Sequence, residues 1–271
     1  MSTDELRSQL RHVARDTDRP VVVNLILAFD QRERLEVAIE EDAQWFSFSW
    51  GLVPSLVDRA HAGEARVLVQ VASVDQATAA VEAGADALIV QGVEAGGHVQ
   101  GTAPLLPLLR QVRGAVSVPL VAAGGIADPA AARAAMVAGA DVVSMGTRFV
   151  ATPESLAHPH YQQELLAAGP DDTVLTGLFN VPWDAPHRVI RNAAYADWER
   201  VGRPVPGERP GEGDVVATGP AGAIIRYPTH PLIVGVTGDV GALPLYAGLG
   251  VGAIDEWEPA ADIVERFGAA L

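Results

Sequence analysis

Cysteine is absent from this 271-residue chain, which excludes disulfides, thiolate metal sites and cysteine nucleophiles. No lysine-rich or arginine-rich run occurs and the formal charge is −15. A nucleic-acid surface needs clustered cations for its phosphate contacts, so no nucleic-acid partner is expected, and acidic partners are disfavoured. The opening MSTDELRSQLRHVARD is charged throughout. It has neither the apolar core of a signal peptide nor the apolar length of a membrane span, and a cytoplasmic protein without a membrane partner is expected. His12, His61, His158, His160, His187 and His230 share no helix face at ligand spacing, so no metal site is expected and these histidines are read as structural or surface residues.

What is present fits a large α/β domain. Apolar residues make up 49% of the chain, with 27 glycines and 19 prolines, a mix suited to buried parallel strands joined by glycine-rich turns. A length near 250 residues is common for one (β/α) barrel. One domain over 1–271 is therefore expected, with 156–235 as a helical and loop insertion or lid.

The pattern along the chain alternates strand and helix. Ser2 and Glu5 have capping-box spacing, and Leu6, Leu10 and Val13 recur at helical intervals, which predicts an opening amphipathic helix. The run PVVVNLIL (20–27) reads as a buried strand interrupted by Asn24. Ser73 with Gln76 predicts a second capped helix, ended by Gly84 and followed by the strand ALIV. The stretches EAGADALIV and VAGADVVSM repeat one design of helix end, glycine, aspartate and buried strand, as stacked βα units do. Six such strands fall near residues 20, 45, 67, 87, 119 and 141, whereas a closed barrel needs about eight. Beyond Arg148 the rhythm gives way to helical stretches near 161–168, 194–201 and 260–267, and to the loop RPVPGERPGEGD, expected as mobile surface.

In parallel barrels the functional groups gather at the carboxyl ends of strands. Three of these ends are unusual: QGVEAGGH after ALIV, GGI after PLVAA, and GTRF after VVSM. Gly124 and Gly125 alone would suit a tight turn into a helix capped by Asp128. Together with Gly146 and Thr147 at the last strand end, they point to a phosphate held by backbone N–H groups. His98 follows Gly96 and Gly97 on the first of these loops, where a neutral imidazole could take a proton from a substrate carbon. Gln91 and Asn24 are amides at strand positions otherwise apolar and need hydrogen-bond partners. Glu94 could be a second base, although a hydrogen-bonding role in the loop or at the following helix start is preferred.

In QGVEAGGH, AAGGIAD and MGTRFVATPES, taken in that order, the sequence resembles the nitronate monooxygenase family, also called 2-nitropropane dioxygenases, from about Leu6 to the end. The resemblance implies a TIM-type (β/α) barrel and an FMN enzyme that oxidises alkyl nitronates with molecular oxygen to a carbonyl compound and nitrite. His98 matches the catalytic histidine. Asn24 and Gln91 match positions that contact the flavin, Gly96 and Gly97 line the loop, Gly124, Gly125, Gly146 and Thr147 match the phosphate binders, and Met145 lies beside them. Two departures stand out: relatives begin with two further βα segments, so that this barrel is expected to be incomplete, and they often carry glutamine at the position of Leu249. An open barrel edge is compatible with a homo-oligomer. The alternatives are a flavin-dependent enoyl-acyl-carrier-protein reductase and a non-catalytic flavin- or phosphate-binding barrel.

Overall fold

The computed structural model describes residues 1–271. Its strands are β1 (Val22–Ile26), β2 (Trp45–Ser49), β3 (Arg66–Val71), β4 (Ala87–Gln91), β5 (Gly97–His98), β6 (Leu120–Ala123), β7 (Val142–Ser144), β8 (Thr173–Thr176), β9 (His187–Ile190), β10 (Val215–Gly219), β11 (Gly222–Ile225) and β12 (Thr237–Gly238). A six-stranded sheet runs β1-β2-β3-β4-β6-β7, with parallel registers from β1 to β4. Helices Arg32–Glu40, Pro54–Ala62, Val74–Glu82, Leu105–Ala115 and Pro129–Val137 connect its successive strands. This is the succession of a (β/α) barrel carried through six strands, and all six lie where the sequence pattern placed them. The chain divides into two compact units, Met1–Gln91 with Leu106–Ala122 and Ala138–Val142, and Gly92–Leu105 with Ala123–Val137 and Val143–Leu271.

In the first unit the internal repeat has a physical cause. Asp86 and Asp141, the aspartates of the two repeats, do the same thing: Asp86 Oδ2 accepts the Val67 N–H at 2.7 Å and Asp141 Oδ2 accepts the Leu120 N–H at 2.8 Å. Each carboxylate also faces a cationic or histidine partner from a preceding helix, His61 at 2.9 Å and Arg113 at 2.7 Å. The opening helix Thr3–Asp16 carries the expected capping box, with the Glu5 N–H donating to Ser2 Oγ at 3.2 Å and the Ser2 N–H to Glu5 Oε2 at 2.6 Å.

One expectation for this unit fails. The run 20–27 was expected to be buried throughout, but β1 alternates: Val23 and Leu25 are buried while Val22 and Asn24 are exposed. β1 is an edge strand with β2 as its only neighbour in the sheet, and its second face is left exposed at Val22 and Asn24. Asn24 is therefore not a buried amide needing a partner; its Oδ1 accepts a long hydrogen bond from Ser49 Oγ at 3.4 Å. Gln91, at the end of β4, is buried as expected.

The second unit contains two small sheets, β5-β9-β8 and β11-β10-β12. Stretch 156–235, expected as helix and loop, thus also holds most of these strands. They are two to five residues long, antiparallel and rich in glycine, threonine and valine, too short for an alternating pattern to stand out. Tyr161, Leu165, Leu232, Leu243, Leu245 and Val251 form one buried cluster, and Phe179, Tyr195 and Tyr227 head another. Loop 203–214, expected to be loose, is anchored by Arg209. Its buried guanidinium donates to the Leu178 carbonyl and Asn180 Oδ1, both at 2.8 Å, pairs with Glu212 and lies 4.5 Å over the Tyr227 ring.

Candidate active site

The loop after β4 is held by its own backbone and by one carboxylate. Glu94 accepts the Leu105 N–H through both oxygens, at 3.0 and 3.1 Å, so it caps the helix Leu105–Ala115 where the helix dipole favours a negative charge. The Glu94 carbonyl accepts the Leu249 N–H at 2.9 Å, which ties the loop to the glycine-rich turn 248–252. Gly96 is required by that contact: a Cβ there would meet the Ala247 carbonyl carbon at 2.6 Å.

His98 leaves this loop on β5, opposite His187 of β9 in the antiparallel register. Its imidazole is stacked on Trp183, with His187 edge-on at 5.6 Å and Tyr246 at 5.7 Å. Burial, reinforced by the neighbouring His187, pushes its pKa down to about 4, so the ring is neutral and able to accept a proton near neutral pH. His187 is wholly buried. Its Nε2 accepts the Phe179 N–H at 3.2 Å, which leaves Nδ1 as the donor to the Ala185 carbonyl at 2.8 Å. Burial lowers its pKa as well, so a second cation beside His98 is avoided.

Sequence reasoning missed Arg188, Trp183 and Tyr246 here, and read His187 only as a structural or surface residue. Arg188 directs Nε and Nη2 at the Val93 carbonyl, at 3.2 and 3.0 Å, and Nη1 at Thr173 Oγ1 at 3.3 Å. It thereby fastens the His98 loop to β9, while burial lowers its pKa. Trp183, His187 and Tyr246 complete the aromatic surround. The segment WDAPHRVIRN carried a signal, since an arginine and a histidine inside a strand-like run must be satisfied internally, but no pattern linked it to residue 98.

Gly96, Gly97, Gly146 and Thr147 line one cavity of about 360 Å³ together with Tyr161 and Tyr246, a volume in the range of ligand sites. A Cβ at Gly97 or Gly146 would meet nothing within 4 Å. Gly124 and Gly125 are placed differently: a Cβ on Gly124 would meet the Ala95 N at 3.0 Å, and one on Gly125 the Glu94 Cβ at 2.9 Å. Close packing of the two loops and positive φ of +110° and +70° account for both glycines. Met145 is half-buried, and Asn24 and Gln91 belong to the first unit. No acidic side chain lines the cavity, so nothing there repels an anion. The open glycine turn at Gly146 and Thr147 fits a phosphate-bearing cofactor held by main-chain N–H groups.

Sheet order and glycine-turned strand ends together define a protein of the (β/α)-barrel class. Residues 28–267 match the model of the nitronate monooxygenase family, and the chain belongs to that family. It is 36% identical over 194 residues to the (3aS,4S,5R,7aS)-5-hydroxy-7a-methyl-1-oxo-octahydro-1H-indene-4-carboxyl-CoA dehydrogenase of Mycobacterium tuberculosis, covering 70% of this chain and 54% of that protein. It is 39% identical over 165 residues to a nitronate monooxygenase of Pseudomonas aeruginosa, covering 56% of this chain and 46% of that one. The chain thus spans about half the length of the curated relatives it matches. The structure of FabK from Thermotoga maritima superposes with a TM-score of 0.80 at 28% identity, over 100% of this chain and 81% of that one. No helix is long and apolar enough to cross a membrane.

Proposed function

We propose that this protein is an FMN-dependent oxidoreductase that oxidises alkyl nitronates with molecular oxygen, releasing a carbonyl compound and nitrite. The observation that carries this reading is the neutral, aromatic-packed His98 next to a cavity lined by Gly96, Gly97, Gly146 and Thr147. Flavin, when bound, supplies the electron transfer between substrate and oxygen. The Gly146–Thr147 turn holds the phosphate end through main-chain N–H groups, with Met145 next to it in sequence. His98 removes the proton from the α-carbon of a neutral nitroalkane, or orients a nitronate that is already anionic. Burial by Trp183 and Tyr246 keeps water from competing for that imidazole.

The test is the visible spectrum of the purified protein, followed by oxygen uptake with ethyl nitronate in the absence of NADH. His98→Asn should lose most activity with neutral nitroethane and keep more with preformed ethyl nitronate. Equal activity of variant and wild type on nitroethane removes His98 from the role of base. A second reading, a flavin-dependent enoyl-thioester reductase, is favoured by the apolar cavity beside His98 and by similarity to a CoA-thioester dehydrogenase. It requires NADH oxidation driven by an enoyl thioester.

A further inference from the structure

The cavity at the Gly97 and Gly146 turns continues into a region that phosphate chemistry does not explain. Its remaining wall is built by Val150, Leu156, Ala157, Leu232 and Ile233. The wall is preformed: Ala157 and Ile233 form an antiparallel bridge, with the Val234 N–H donating to the Leu156 carbonyl at 2.9 Å and the His158 N–H to the Leu232 carbonyl at 3.2 Å. No charged side chain lines it.

Both tyrosine hydroxyls on this wall donate to main chain, and the Thr147 and Ser155 hydroxyl oxygens accept from it. Tyr161 donates to the Tyr246 carbonyl, and Tyr246 donates to the Thr229 carbonyl at 3.0 Å. Thr147 Oγ1 accepts the Gly248 N–H and Ser155 Oγ accepts the Ala157 N–H, each at 3.1 Å. Along Val150, Leu156, Ala157, Leu232 and Ile233, away from the Gly146–Thr147 turn, a polar or charged ligand group would lose its water with no side-chain partner, whereas an aliphatic one loses nothing. At the mouth, Leu156 is 70% exposed and Ile233 37% exposed, apolar surface that an entering chain would cover. Gly97, next in sequence to His98, and Tyr246, whose ring lies 5.7 Å from the imidazole, also line the cavity.

We propose that the cavity between segments 150–157 and 231–233 receives the aliphatic chain of the substrate, so that this protein acts on nitronates with longer unbranched alkyl chains in preference to short or carboxylate-bearing ones. This rests on the nitronate reading above for the reacting group, and on the cavity alone for the chain. The reaction is unchanged by it; the chain adds binding energy remote from the reacting carbon.

The experiment compares kcat/KM of the flavin-loaded protein for nitronates from ethyl to octyl, in wild type and Ile233→Asp. Calorimetry of 1-decanol binding, with and without FMN, supplies a measurement that does not depend on turnover. The expected result is a rise of about threefold to fourfold per methylene until the cavity is filled, a shallower slope in Ile233→Asp, and decanol binding alongside FMN. A flat or falling slope in an active enzyme overturns the inference and leaves the nitronate function standing. No nitronate turnover, with decanol still bound beside FMN and weakened by Ile233→Asp, retires the function and keeps the aliphatic site. Mutual displacement of decanol and FMN assigns the whole cavity to the cofactor and overturns the inference.

Discussion

The imidazole of His98 lies against the indole of Trp183, with ring centroids 4.3 Å apart and planes 27° from parallel. An aromatic face at that distance removes water from one side of the imidazole, and loss of water disfavours the protonated ring. Trp183→Ala should therefore raise the His98 pKa from about 4 back towards the ordinary value of 6.5. His187 and Tyr246 are the other titratable groups packed on this ring; His187 opposes the rise only if it becomes charged. Proton NMR of the histidine rings across pH 4 to 8 reads the shift directly, and the acid limb of the pH–rate profile should move with it. An unmoved titration would place the cause of the depression outside the stack.

The same burial makes stability depend on pH. His98 and His187 both have folded pKa values below the unfolded value of 6.5, so between these limits the unfolded chain binds more protons. The contribution of His98 is complete above about pH 6.5 and is lost as pH falls towards 4, and that of His187 changes in the same direction. Protonation of His187 would also remove the acceptor of the Phe179 N–H. Arginine-paired carboxylates such as Glu212, held at about 2, lose their contribution only at lower pH. Urea midpoints should fall steadily from pH 7 to pH 4.5, and His98→Gln should fall less. A parallel decline in both proteins would show that other groups govern the acid response.

How much of this was legible beforehand follows from chain locality. The six parallel strands were readable because each lies within a repeat whose caps, glycines and aspartates sit at short range; Asp86 and Asp141 mark strand starts that the sequence places within a few residues of them. The role of Glu94 as a helix cap was readable for the same reason. The surround of His98 was not, because Trp183, His187 and Tyr246 reach it from more than eighty positions away, from a loop, a four-residue strand and an isolated bridge with no periodicity of their own. Asn24 misled because burial of a β-branched run was assumed on both faces, whereas β1 buries only the face of Val23 and Leu25.

Arg188 supplies a third prediction. Its guanidinium is buried, and its hydrogen bonds go to the Val93 carbonyl and Thr173 rather than to a carboxylate. Arg188→Met keeps much of the volume but leaves a buried carbonyl without its donors, which costs about 1–3 kcal/mol, partly offset because a desolvated cation is also removed. A loss within that range should appear in chemical unfolding. The sharper readout is hydrogen exchange at 92–99, which should quicken more than in the first unit. Uniform change across the chain would mean that Arg188 serves packing in general and not the His98 loop.

Two glycines separate packing from ligand binding. At Gly96 an added methyl would meet the Ala247 carbonyl carbon at 2.6 Å and Cα at 2.9 Å. That is backbone with no freedom to yield, so Gly96→Ala should destabilise the protein by about 1–3 kcal/mol. At Gly146 φ is −105°, a value open to any residue, and a Cβ would meet nothing within 4 Å, so Gly146→Ala should melt at the wild-type temperature. The same methyl would project where the phosphate end of FMN is expected, and FMN affinity should fall by at least tenfold. Thermal melts without flavin and an FMN fluorescence titration read the two effects separately. A Gly146→Ala protein that is stable and binds FMN as tightly as wild type would show that this turn does not hold the phosphate.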